Sequence, residues 1–275
     1  MPAFATSGPI TAAVTTAGAR VRVTASARPD AVVLVEPLDG TSKSDVKVAE
    51  RTEVALTDGV LSITTTKPGD KKGSVAITVE LPAGSGLVLH TAWTDVDVSG
   101  PLGDCELHLG SGSVHLDRIG ALRANLAAGD VAVRHVTGAA DIDGGTAALR
   151  IGTAEGTVRY QGSTGAVRIG HAMADVELGG SGGRLDIDRA DGNVTAKAAH
   201  CPIRVGRMTR GHAELVNAAG GIEVGVGDTT AASVDADSTK GTVRNSLPAP
   251  ARAENTVTIH ARTRRDDIVI QPAAV

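Results

Sequence analysis

Aromatic side chains are almost missing from this sequence. Its 275 residues include one Phe, one Tyr and one Trp, against 34 Gly. Globular cores usually take much of their buried area from aromatic rings. Here the core has to be built from Val, Ile, Leu and Ala, which favours a thin aliphatic core repeated many times along the chain.

Other absences argue against whole classes of protein. No stretch approaches the about 20 consecutive apolar residues that a membrane-spanning helix needs. The segment from Met1 to Val14 has neither a basic region nor a continuous apolar run, so it does not resemble a secretory signal. The net charge of -4 gives no basic footprint for nucleic acid or an anionic membrane. We therefore expect a cytoplasmic protein without nucleic-acid or membrane partners, unless a non-classical route exports it.

Cysteine is scarce throughout the chain, and proline is scarce in its middle part. Cys105 and Cys201 lie far apart and in no ligand-like spacing. We expect two buried, reduced thiols, with a disulfide as the alternative, since spacing alone cannot pair them. Between Pro101 and Pro248 the sequence contains only Pro202. Because proline cannot donate to a strand ladder, this scarcity favours interior strands.

A repeat of nine residues organises the middle of the chain. Apolar triplets with a polar or small middle residue begin at nearly constant spacing from Val131 to Ile222, and one step across Arg207–His212 is ten residues long. A fixed short period indicates stacked repeats. Nine residues are too few to close a coil. In addition, alternate triplets are followed by a glycine, as in Leu149–Gly152 and Val167–Gly170. We therefore predict two short strands in each coil of about 18 residues.

The predicted fold is all-β. It is an elongated parallel β-solenoid, right-handed by the crossover rule, in which residues 1–90 form an N-terminal antiparallel β cap and residues 91–275 form the repeats. Glycines between the triplets are expected to supply positive φ values at the corners. Near the start, Asp58-Gly59 predicts a type I′ hairpin, and Thr41–Glu50 fits either a loop or one helical turn.

The middle residues of the triplets are predicted to face solvent and to form charged ladders. Stacked neighbours would lie about 4.8 Å apart, and several steps alternate in sign. Each exposed pair contributes only ~0.2–1 kcal/mol, so the ladders would set register and solubility more than stability. The candidate ladder residues are Arg150, Arg168, Asp186, Arg204 and Glu223 on the first face, and Asp141, Arg159, Glu177, Thr195 and Glu214 on the second.

Two ligand-binding alternatives depend on features that are incomplete here. A calcium β-roll needs an Asp in its glycine-rich corners, and the best match, Gly179–Leu185, has Arg184 at that position. A glycan-active β-helix usually needs clustered carboxylates and aromatic rings. Trp93 and Tyr160 lie at unrelated points, and Tyr160 shares the inward parity of Val158.

The histidines are scattered along the chain. His108 and His115 occupy outward middle positions of consecutive triplets and could be neighbours, but two imidazoles without a third ligand rarely make a metal site. We therefore predict no catalytic residues, no metal site and no cofactor.

Several repeat motifs carry a resemblance to a known family. They are Gly129-Asp-Val131, Gly165-Ala-Val-Arg-Ile-Gly170, Gly241-Thr-Val-Arg-Asn245, Thr256-Val-Thr-Ile-His-Ala-Arg-Thr263 and Asp267-Ile-Val-Ile270. In these the chain resembles the actinobacterial β-strand-repeat family of unknown function labelled "putative adhesin". The resemblance covers essentially the whole chain and implies a β-repeat fold without established catalytic residues. In the family the late repeats often carry Phe-Gly before the last strand, whereas this chain has Arg264-Arg265-Asp266, a departure that concerns only the last turn.

These observations predict a non-enzymatic, rigid β-repeat scaffold or protein-interaction module. Its partner would be a protein of unknown identity, and the strands at the ends of the stack would allow end-to-end self-association. The alternative is an adhesin-like surface-binding module, which would require export. A polysaccharide-active enzyme is a third and disfavoured class.

Overall fold

The computed structural model describes residues 3–65, 73–248 and 253–274. The chain forms two compact units, residues 1–135 and 136–275. Each unit contains two sheets of mostly parallel strands.

The first unit contains one helix and most of the irregular strands. Its elements are β1 (Ala3–Ala5), β2 (Thr11–Ala17), β3 (Ala19–Ser26), β4 (Asp30–Pro37), α1 (Lys43–Glu50), β5 (Glu53–Thr57), β6 (Val60–Thr64), β7 (Val75–Pro82), β8 (Gly86–Ala92), β9 (Thr94–Ser99), β10 (Cys105–Leu109), β11 (Gly112–Ile119), β12 (Leu122–Leu126) and β13 (Asp130–Val136). One sheet has the order β1-β4-β7-β3-β9-β11-β13, and the other has the order β5-β6-β2-β8-β10-β12. The boundary predicted between residues 90 and 91 falls inside β8.

The second unit is the more regular of the two. Its strands are β14 (Ala140–Gly144), β15 (Ala148–Ala154), β16 (Val158–Gly162), β17 (Ala166–Ala172), β18 (Val176–Gly180), β19 (Arg184–Ala190), β20 (Val194–Ala198), β21 (Ile203–Met208), β22 (Gly211–Asn217), β23 (Ile222–Val226), β24 (Thr230–Ser238), β25 (Val243–Asn245), β26 (Asn255–Thr263) and β27 (Ile268–Pro272). We call the sheet β15-β17-β19-β21-β23-β27-β25 sheet A, and the sheet β14-β16-β18-β20-β22-β26-β24 sheet B.

The register of the second unit confirms two strands in each coil. In sheet A, Leu149 lies opposite Val167 and Val167 lies opposite Leu185, a spacing of 18 residues in parallel strands. The next pair, Leu185 opposite Ile203, is also 18 residues apart. The one longer step in the sequence makes the spacing after it 19, with Ile203 opposite Ile222. Successive triplets therefore alternate between the two sheets, as a parallel β-solenoid requires.

The core is aliphatic, as the composition predicts. The first and third residues of the triplets point inward, so Leu149 and Ile151 are buried, and Tyr160 is buried with them. Burial of such side chains contributes about 25 cal/mol per Å² and dominates over the exposed charges. Cys105 and Cys201 are buried and free, as predicted. Burial raises the pKa of Cys105 to about 12 and that of Cys201 to about 11, so both thiols are protonated and inert near neutral pH.

The corner glycines serve two different purposes, of which the sequence predicted one. Gly129 and Gly183 have φ values of 101° and 85°, as expected for corners. Gly156 and Gly192 lie outside the left-handed region. At Gly156 an ideal Cβ would lie 2.9 Å from the backbone nitrogen of Ala139 in the preceding coil. Close stacking of coils, rather than a special φ, excludes a side chain there.

Among the described residues of the N-terminal region, antiparallel pairing is limited to the outer strands of the two sheets. β4 is antiparallel to β1 and β7, and β5 is antiparallel to β6. In contrast, β2 and β3 run parallel to their neighbours. Both lie between strands that come later in the chain: β2 lies between β6 and β8, and β3 lies between β7 and β9. The first strands are therefore part of the solenoid, because their aliphatic faces are buried on the same core.

The N-terminal region also contains the predicted hairpin and a short helix. Asp58 and Gly59 have φ values of 50° and 77°, which confirms the type I′ hairpin between β5 and β6. The segment Thr41–Glu50 contains the eight-residue helix α1, and the Ser42 hydroxyl caps it by accepting from the Asp45 backbone N–H. Among the described residues, no helix has the length and apolarity needed to cross a lipid bilayer.

The C-terminal strands are inserted in the same manner as β2 and β3. β26 lies between β22 and β24, and β27 lies between β23 and β25. As a result β24 and β25 are the outermost strands of sheets B and A. End-to-end self-association through such outer strands stays a prediction.

Candidate functional site

The register places the predicted ladder residues directly opposite one another. On sheet A the column is Arg150, Arg168, Asp186, Arg204 and Glu223. On sheet B it is Asp141, Arg159, Glu177, Thr195 and Glu214. Because each column repeats at the coil spacing, the backbone holds these side chains at regular intervals.

The ion pairs on sheet A do not all follow the column. Arg168 pairs with Asp188 at 3.0 Å, and Arg204 lies 3.4 Å from Asp188 and 3.9 Å from Glu223. Asp186 instead accepts from Arg184 on its own strand. Asp188, and not the column residue Asp186, is therefore the carboxylate that lies between the two arginines.

Gly206, two residues after Arg204 on β21, explains why Arg204 can reach Asp188. An ideal Cβ at Gly206 would lie 3.1 Å from the Arg204 guanidinium, so the arginine occupies space that a side chain would fill. The sequence contained a signal, because Leu185–Asp188 is the one member of its series that ends in Asp instead of Gly. On sheet B the predicted pair Arg159–Glu177 forms, at 3.3 Å.

The two faces of the second unit carry opposite charge. The charged strand residues of sheet A are seven arginines, Arg150, Arg168, Arg184, Arg189, Arg204, Arg207 and Arg244, and three carboxylates, Asp186, Asp188 and Glu223. Those of sheet B are six carboxylates, Asp141, Asp143, Glu177, Glu214, Asp235 and Asp237, and three cations, Arg159, Lys197 and Arg262. None of these side chains belongs to a fully buried residue. Sheet A is thus a basic surface and sheet B an acidic one.

The two histidines considered for a metal site are separated. His108 lies on β10 and His115 on β11, which belong to different sheets because consecutive triplets alternate between sheets. His108 stacks on His90 with ring centroids 4.5 Å apart, and its Nε2 lies 2.8 Å from Glu106. Within the described ranges, no group of three or more His, Cys, Asp or Glu residues is arranged to hold a metal ion.

The two aromatic residues considered for sugar stacking have different environments. Trp93 occupies the turn between β8 and β9 with φ 49° and is 74% exposed, whereas Tyr160 is 2% exposed. The inward position predicted for Tyr160 is confirmed. A buried ring cannot offer its face to a sugar.

A cluster around Asp191 was not recognised from the sequence. Asp191 follows β19 and is nearly buried, with 15% of its side chain exposed. His171 Nε2 lies 2.7 Å from its carboxylate, Arg189 Nε donates at 2.9 Å and the Thr209 hydroxyl donates at 2.7 Å. Burial raises the pKa of Asp191, but these hydrogen bonds more than offset it and lower the pKa to about 2.

A cleft of about 430 Å³ opens beside this cluster. Its lining includes Arg189, Arg207 and Arg210, together with Asp191, Asp228 and Asn255. Three arginines therefore line one depression of the second unit. The sequence signal for this site was the ten-residue step across Arg207–His212, which interrupts the repeat.

The low pKa of Asp191 predicts an acid-dependent loss of stability. A carboxylate with a folded pKa of about 2 and an unfolded pKa near 3.8 stabilises the fold above about pH 4, and this contribution is lost as the pH falls towards 2. The shift corresponds to about 2 kcal/mol. We expect Asp191→Asn to lower the free energy of unfolding by about that amount near pH 7 in urea titrations. The difference from the wild type should shrink near pH 2, and a difference independent of pH would contradict the assignment.

No protein-family model and no curated protein matches the sequence. Three solved structures are similar to this chain at low TM-scores. They are a "putative adhesin" from Bacteroides fragilis NCTC 9343 (10% identity, covering 98% of this chain and 95% of that chain, TM-score 0.31), a "putative adhesin" from Parabacteroides merdae ATCC 43184 (9%, 98% and 94%, 0.43), and a "putative cell adhesion protein" from Clostridium sporogenes ATCC 15579 (8%, 98% and 94%, 0.19).

These names agree with the adhesin label of the family that the sequence resembles. The three sources are not actinobacterial, so the actinobacterial part of the resemblance has no support. At TM-scores below 0.5 the three likenesses carry no argument about the function of this chain.

Proposed function

We propose that the chain is a non-catalytic interaction module that binds an acidic protein partner through sheet A of its second unit. The observation that supports this most is the separation of charge, with seven arginines against three carboxylates on sheet A and the reverse sign on sheet B. Complementary potentials of this kind favour rapid encounter and select against wrong partners.

The arginines of sheet A are held in position before any partner binds. Arg168 and Arg204 share Asp188, and Arg184 is paired with Asp186. Their strands are hydrogen-bonded to neighbours on both sides, so the spacing of the arginines is set by the backbone. A surface that is already ordered loses less conformational entropy on binding than flexible side chains on a loop would.

A charged polypeptide tests this proposal. We expect poly-L-glutamate to bind the full chain in titration calorimetry, with an affinity that falls as ionic strength rises. Arg168→Gln combined with Arg204→Gln should weaken binding about threefold or more, since each exposed charge contributes up to about 1 kcal/mol. The matched control is Arg159→Gln, which removes an arginine from sheet B and should leave binding unchanged.

Two results would overturn the proposal. One is the absence of binding at low ionic strength, and the other is equal weakening by the sheet A and sheet B variants. The same experiment also tests the alternative, an adhesin-like function. A clear preference for an acidic polysaccharide such as polygalacturonate over poly-L-glutamate would favour it.

A further inference from the structure

The cleft beside Asp191 lies where the 18-residue spacing of the second unit is interrupted. Met208 lies opposite Ala190, a spacing of 18 residues, whereas Ala213 lies opposite Val194, a spacing of 19. One residue between these two pairs therefore has no counterpart in the preceding coil. His212 already follows the longer spacing, since its backbone N–H donates to the Asn193 side-chain oxygen, just as the Asn193 N–H donates to the Asp175 carboxylate one coil earlier. Gly211 follows it too, since it lies against Gly192, so Arg210 is the residue best placed to be the inserted one.

The same coil contains a β-bulge at a second arginine. Val205 lies opposite Val224 and Met208 opposite Val226, so two residues of β21 face a single residue of β23. The two residues are Gly206 and Arg207. A bulge redirects the side chain of the extra residue and is frequent beside functional sites. Arg207 and Arg210 therefore both owe their positions to departures from the repeat.

The arginines of the cleft are arranged at an electrostatic cost. Arg189 lies directly opposite Arg207 in the parallel ladder, and like charges in that position are unfavourable. Asp191 offsets part of this repulsion, but it already accepts from His171, Arg189 and Thr209. Asp228 is the other carboxylate of the lining. Three arginines thus share the lining with two carboxylates, one of which, Asp191, is engaged.

Donor groups of the arginines remain for a ligand. Arg189 uses its Nε on the Asp191 carboxylate, and Arg210 uses its Nε on the Asp191 carbonyl oxygen at 2.6 Å. In the described part of the chain, these bonds leave the Nη groups of both residues available. Arg207 donates through Nη2 to the Ala274 carbonyl oxygen at 3.2 Å. A guanidinium has five donors in a planar fork, which suits two-point contact with an oxyanion.

We propose that this cleft binds a phosphate or sulfate group, held by Arg189, Arg207 and Arg210. The bound anion would relieve the repulsion between Arg189 and Arg207. A cleft of about 430 Å³ is within the size range of small-molecule sites and can accept an ester substituent beyond the anion itself. The proposal does not depend on the binding of an acidic partner by sheet A.

Titration of the full chain with inorganic phosphate, inorganic sulfate and glycerol phosphate tests the proposal. We expect saturable binding in calorimetry and a rise in melting temperature with each bound anion. Tighter binding of glycerol phosphate than of inorganic phosphate would identify an ester as the ligand, and the reverse order would identify the free anion. Arg210→Gln and Arg207→Gln should each weaken binding about tenfold.

The control variant separates this site from the proposed function. Arg168→Gln alters the same sheet outside the cleft and should leave anion binding unchanged, whereas it contributes to poly-L-glutamate binding. A melting curve of each variant without anion checks that it folds. The proposal is overturned if the wild type shows no saturable binding of any of the three anions. It is also overturned if folded Arg207→Gln and Arg210→Gln variants bind them as well as the wild type.

Discussion

Tyr160→Ala is expected to lower the free energy of unfolding by about 3–5 kcal/mol, the range for removing a buried aromatic side chain. Tyr160 is the one aromatic ring inside the described core of the second unit. Its ring fills the corner between Gly144 and Gly162, and an ideal Cβ at Gly144 would lie 2.6 Å from Tyr160 Cε2. Urea denaturation followed by circular dichroism measures the loss. Leu178→Ala, which truncates the residue opposite Tyr160 in β18, provides the matched comparison.

Tyr160→Phe should change stability in the opposite direction. The Tyr160 hydroxyl oxygen is buried and has no hydrogen-bond partner among the described residues. A buried polar group without a partner costs about 1–3 kcal/mol, so its removal should raise the free energy of unfolding by about 1 kcal/mol. A clear destabilisation by Tyr160→Phe would show that the hydroxyl is satisfied and would contradict the interpretation.

A double-mutant cycle tests whether the ring and the glycines form one packing unit. Gly162→Ala should be destabilising in the wild type, because its Cβ would overlap the Tyr160 ring. In a Tyr160→Leu background the same change should cost much less, since the ring is gone. Additive effects of the two substitutions would mean that Gly162 is required for another reason.

Gly156→Ala is expected to cost about 1–3 kcal/mol, the usual range for overpacking. The Cβ would meet the backbone of Gly138 and Ala139 in the preceding coil, and backbone atoms cannot rotate away. Since Gly156 lies outside the left-handed region, conformational strain is not the cause. The melting temperature of the full chain should fall by several degrees.

Gly40→Ala is the matched control for this substitution. A Cβ at Gly40 would have nothing within 4 Å, and its φ is not positive. Both substitutions reduce the entropy of the unfolded chain by the same mechanism. The difference between them therefore measures the contact between coils, and equal melting temperatures for the two variants would show that the coils can separate without cost.

The positions of the ladder residues could be predicted from the sequence, whereas their ion pairs on sheet A could not. The columns of outward residues follow from the period and from the alternation of strands, so Arg168, Asp186 and Arg204 lie opposite one another as predicted. The ion pairs depend on where long side chains find space. Asp188 rather than Asp186 lies between the arginines, because Gly206 leaves room for the Arg204 guanidinium. Strand periodicity carries no information on that choice.

The sequence by itself determined the parallel two-strand coil, its spacing, the aliphatic core and the inward position of Tyr160, because period and alternation along one strand are local properties. Tertiary structure alone decided the insertion of β2, β3, β26 and β27 between other strands, since a segment's place in a stack depends on contacts with distant parts of the chain. It also decided the arginine cleft. The sequence showed an extra residue near Arg210, but only the stacking of neighbouring coils brings Arg189, Arg207 and Arg210 around one depression.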